Sequence, residues 1–143
     1  MRAYQSHNIY KQHDSHCSAP QLVLLLCDGA IRYAKEAAEH MRAGRWEQKG
    51  IAVDAAYSCI SELRNTLDHQ QGGEVVSNLD KTYDLLSTKL TLANTNRDPE
   101  QLVQIADSIT TIRASWKELF DRLAKEGKLQ DKDIKPKTLD PVL

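Results

Sequence analysis

Between Gly72 and Asn96 the chain reads GGEVVSNLDKTYDLLSTKLTLANTN, and its apolar positions Val76, Leu79, Tyr83, Leu86, Leu90 and Ala93 recur at alternating steps of three and four. That spacing collects them on one stripe of an α-helix, the seam of a helix buried on one side. A thinner line runs beside it at heptad spacing: Asn78, Leu85 and Leu92. At about 100° per residue it lies roughly a quarter to a third of a turn from the seam. One face is therefore core, while a neighbouring flank stays partly apolar and asks for a second contact.

Three further segments share this period. Ser18-x-x-Gln21 has the form of a capping box ahead of Ala19-Pro20, and Gly44 stands where a helix running to about Ala43 would end. The first two turns of this helix, Leu22 to Cys27, are apolar nearly all round, so something must cover their outer side, and the N-terminal arm is the nearest candidate. Gly29 inside it costs about 0.5–1 kcal/mol against alanine, which fits either a close helix–helix approach or simple tolerance. A second helix is expected from Trp46 or Glu47 to Asp68, with Val53, Ala56, Ile60, Leu63 and Leu67 as its seam. Beside that seam Ala52, Cys59 and Thr66 form a line of small residues, either a shallow trough for a partner's side chains or the ordinary small boundary of a bundle helix. Asp98-Pro99-Glu100-Gln101 sets an aspartate at N-cap and proline at N1. The stripe Leu102, Ile105, Ile109, Ile112, Trp116, Leu119, Leu123 then runs to a stop at Gly127. Four amphipathic helices with short connections predict an all-α, antiparallel four-helix bundle over residues 18–126, with crossing angles near about 20°. Residues 1–17 read as a flexible polar arm or cap and 127–143 as a flexible tail.

Composition narrows function by exclusion. A net charge of -1 supplies no basic field for nucleic acid or an anionic membrane. The apolar run from Leu22 to Cys27 is too short to span a bilayer, and no targeting segment is visible. Cys17, Cys27 and Cys59 form no C-x-x-C pair and read as reduced thiols, so a cytoplasmic protein is expected. No Glu-x-x-His, haem-attachment motif, phosphate loop or Gly-x-Ser-x-Gly elbow occurs; Glu36 and His40 share a polar face without a repeat, and His13, His16 and Cys17 lie on the arm without a ligand set. Tyrosine aside, the seams of the second to fourth helices are nearly free of ionisable groups. The expectation is a protein that is not an enzyme, with no cofactor and no metal, whose surplus apolar surface serves a protein partner.

Particular residues carry a family resemblance. Gly72-Gly73-Glu74, Asn78-Leu79, Tyr83-Asp84, Leu90 and Ala93-Asn94 before the loop at Asp98 resemble the signature of the flagellar export chaperones of the FliS family. Pro20-Gln21-Leu22 with Cys27-Asp28-Gly29-Ala30, Lys49-Gly50, Ile60-x-Glu62-Leu63, Leu67-Asp68 and Ala114-x-Trp116-Lys117 match in order and spacing, covering about Tyr10 to Leu119. The departures are Cys27 in place of an aromatic, Ala19 before the proline, Ser15 for a valine in the arm, and Thr88-Lys89 where two arginines are common.

The resemblance implies a cytoplasmic bundle that binds the disordered C-terminal segment of flagellin, prevents premature polymerisation and presents it to the flagellar type III export apparatus. It also implies an arm covering part of the binding surface when flagellin is absent. In this chain that reading assigns partner contacts to Ala52, Cys59, Thr66, Asn78, Leu85 and Leu92, and arm anchors to Ile9 and Tyr10. An adaptor for another secreted client, a ligand- or metal-binding bundle, and a bundle that only dimerises through the same flank remain the alternatives, and the oligomeric state stays open.

Overall fold

The computed structural model describes residues 18–129, which form four α-helices: α1 Ala19–Arg42, α2 Trp46–Asn65, α3 Gly73–Asn96 and α4 Pro99–Lys125. The arm, with Ile9 and Tyr10, and most of the expected tail lie outside the described residues. Each helix packs on two neighbours in the order α1–α2–α3–α4–α1. Side-chain ties give the directions. Asp28 and Arg42 of α1 pair with Arg113 and Glu100 of α4, so the two helices run antiparallel. Lys49 and Arg64 of α2 reach Asn94 and Asp80 of α3, which sets that pair antiparallel as well.

The ends are where local chemistry places them. Ser18 Oγ accepts from Gln21 N while Gln21 Oε1 accepts from Ser18 N, completing the capping box. Asp98 Oδ1 accepts from Gln101 N at the start of α4. Gly44 and Gly127 take φ +74 and +76, conformations that suit glycine, and close α1 and α4. At Gly127 the two reversed bonds, Lys128 N to Leu123 O and Gly127 N to Ala124 O, form a Schellman turn. One boundary differs from the sequence reading: α2 stops at Asn65 rather than Asp68. Thr66 Oγ1 donates back to Leu63 O, and Asp68 Oδ1 accepts from the amides of Gln70 and Gln71, so side chains take over the backbone partners that another helical turn would need. Leu67, expected on the seam, is half-buried beyond the helix end.

The core is densest between α1 and α2. Ala30, Ala34, Ala37 and Ala38 of α1 are buried, as are Ala52, Ala55 and Ala56 of α2, and small side chains let two helices approach closely. Val23 to Cys27 are buried without a break, while Leu22 before them is half-buried and Asp28 after them is exposed. Gly29 is buried too. Among the described residues no helix is long and apolar enough to cross a membrane.

Candidate functional site

The α3–α4 pair is closed at one end and open at the other. Leu86, Leu90 and Ala93 of α3, with Leu102, Ile105 and Ile109 of α4, are buried. Further along the same two seams Val76 and Leu79, and Ile112, Trp116 and Leu119, are only half-buried. Between them lies an apolar groove of about 510 Å³, its rim carrying Val75, Thr111 and Ser115 and no charged residue. The geometry of α2 accounts for the opening. Arg64, in the last turn of α2, is level with Asp80, so the turns of α3 before Asp80 stand beyond the end of α2 and lose that flank.

The groove's α3 wall starts at the double glycine. Gly73 takes φ +58. A Cβ on Gly72 would run into the Val76 side chain and stand 2.9 Å from the Asp68 carbonyl, so only glycine lets the chain turn this tightly onto Val76. Glu74 follows in the first helical turn, where a carboxylate complements the helix dipole. On the α4 wall the Trp116 indole N–H donates to Tyr83 Oη at 2.9 Å, and Phe120 stacks on the Trp116 ring with centroids 5.5 Å apart. Burial pushes the Tyr83 phenol up to about 12, against the opposing pull of the Trp116 hydrogen bond. Cys27, buried in the core, is likewise pushed up to about 12 by desolvation and the neighbouring Asp28 charge, and so stays a thiol. The described residues hold no group of His, Cys, Asp and Glu suited to a metal ion.

A family model described as "Flagellar protein FliS" matches residues 1–123. The chain belongs to the FliS family. The flagellar secretion chaperone FliSB of Pseudomonas aeruginosa is 30% identical to it over 116 residues, covering 81% of this chain and 91% of that protein. The flagellar secretion chaperone FliS of Vibrio cholerae is 29% identical over 119 residues, 83% and 87% of the two chains, and that of Bacillus subtilis 24% over 127 residues, 88% and 94%. FliS is a family of chaperones rather than of enzymes.

Within this FliS-family bundle the residues singled out from sequence fall into separate places. Leu85 and Leu92, each 53 % exposed, lie on the outer flank of α3 with exposed Asn78. Thr66 is exposed at the C-cap of α2. Ala52 and Cys59 are buried in the core cluster, because the close approach of α1 fills the space their small side chains leave. Of the signature residues, Tyr83 is core, Asp84 and Asn94 accept from Arg64 and Lys49 across to α2, and Gly72 and Leu79 line the groove. Val75, Ile112, Trp116 and Leu119 were not singled out from sequence as partner contacts. Their signal was the length of the α4 seam, which outruns the shorter α2 seam.

Proposed function

We propose that this FliS-family protein is a cytoplasmic export chaperone that binds the disordered C-terminal segment of flagellin, prevents its premature polymerisation and delivers it to the flagellar type III export apparatus. The observation that carries the reading is the uncharged apolar groove between the start of α3 and the end of α4. Such a groove suits the apolar face of an amphipathic helix, with anchors one and two turns apart. The exposed leucines Leu85 and Leu92 extend apolar surface along α3, and a segment leaving the groove would cross them. Folding of the client on the bundle costs on the order of 2–5 kcal/mol in ordering, offset by a large buried apolar area.

Calorimetric titration with a synthetic peptide of the same organism's flagellin C-terminus tests this. Micromolar or tighter binding, a negative heat-capacity change and helix beyond the sum of the parts are expected. No heat and no added helix at concentrations well above micromolar would overturn the flagellin assignment and leave another flagellar client to be sought.

A further inference from the structure

An indole N–H is a donor with no acceptor partner of its own, and an apolar surface laid over it expels the water that could satisfy it. Trp116 lines the groove, so a docked segment puts its indole in that position. Its N–H is already engaged at 2.9 Å by the hydroxyl of Tyr83, a residue with no exposed surface, while Phe120 stacks against the ring. Of the other groove-lining side chains, Val76, Leu79, Ile112 and Leu119 are hydrocarbons, and the hydroxyls of Thr111 and Ser115 are turned back to carbonyls of their own helix, Asp107 O and Thr111 O. We propose that Tyr83 is a positioning residue for client capture: its buried hydroxyl holds the Trp116 indole N–H from the core side, so that the ring enters the dry interface as a satisfied apolar wall.

This rests on the client reading above and adds the residue that prepares the groove for it. Leaving a buried donor unpaired is costly, and the cost rises when an apolar segment covers the still half-exposed indole and lowers the polarity around it. Loss of the hydroxyl therefore weakens the client-bound state more than the free protein.

The test is Tyr83→Phe, which keeps the ring and removes one oxygen. In nitrogen–proton correlation spectra the Trp116 indole resonance, assigned through Trp116→Phe, should move while that of Trp46 stays. Affinity for the flagellin C-terminal peptide should fall roughly tenfold. In a Trp116→Phe background, Tyr83→Phe should change affinity no further, since the two groups act as one unit. An unmoved indole resonance, unchanged affinity, or an equal loss in the Trp116→Phe background overturns the proposal. Exchange of the Trp116 indole proton in the unsubstituted protein decides the same point without a variant: slower than Trp46 is expected, and equally fast contradicts it. If the unsubstituted protein does not bind the peptide, the client reading itself falls; if it binds and Tyr83→Phe binds equally well, only this proposal does.

Discussion

The two ends of the α3–α4 pair are built from the same kind of seam and end in different states. At the closed end Leu90, Leu102 and Ile105 lie in one core cluster, all at most 1 % exposed, with α1 and α2 completing the ring. At the open end Val76 and Leu79 face Ile112 and Trp116 with no α2 beside them. The periodicity is identical, yet one stretch is core and the other is surface waiting for cover. Amphipathic spacing specifies which residues share a face; the length of a neighbouring helix decides whether that face is filled.

Substitutions that separate stability from binding bear directly on this difference. Leu90→Ala removes a fully buried side chain from the closed end and should cost about 2–5 kcal/mol in urea unfolding. Leu79→Ala at the open end should cost about 1 kcal/mol, because the groove already exposes part of that side chain. Equal losses at the two sites would erase the distinction. Gly72→Ala should destabilise by about 1–3 kcal/mol, since the added carbon collides with Val76 and crowds the Asp68 carbonyl. It should also deform the groove and lower peptide affinity in the same preparation. Val75, 69 % exposed on the rim, should accept lysine with a stability change within about 0.5 kcal/mol, while peptide affinity drops. A Val75→Lys protein that binds as well as the unsubstituted one would remove the rim from the contact.

The smallest expected effect lies at the border between the ends. Arg64 holds the Asp80 carboxyl below the usual carboxylate range, chiefly through its hydrogen bond, and reaches Asp84 as well. A lowered folded pKa stabilises the bundle above the ordinary carboxylate pKa, and that contribution is lost as pH falls through the folded value. Arg64→Gln should therefore lower the neutral-pH melting temperature slightly, with the difference vanishing in acid as Asp80 protonates, so that the acid limb of the stability profile flattens. The groups are partly exposed and solvent-screened, so the effect is small.

Local signals were legible in the sequence to the residue. Ser18 and Gln21, Asp98, Gly44 and Gly127 act through partners within a few positions, and all of them cap or close helices as their chemistry requires. The end of α2 was less legible, since Leu67 prolongs the apolar stripe while Thr66 and Asp68 divert the backbone. The candidate site was legible only in part. Ala52 and Cys59 read as a trough because small residues at heptad spacing look the same whether a partner or a neighbouring helix fills them. Alanines 30, 34, 37 and 38 of α1 held the answer, but only packing shows which helix they meet. Leu85 and Leu92 stand on an exposed flank, while the groove arises from a mismatch in helix length that no single segment contains.

Hydrogen exchange of the backbone amides with and without the flagellin C-terminal peptide tests most directly that the open end receives the client. Added protection concentrated at residues 72–79 and 111–119 is the predicted result. Protection confined to the closed end, around 86–93 and 102–109, or no change at saturating peptide, would contradict it.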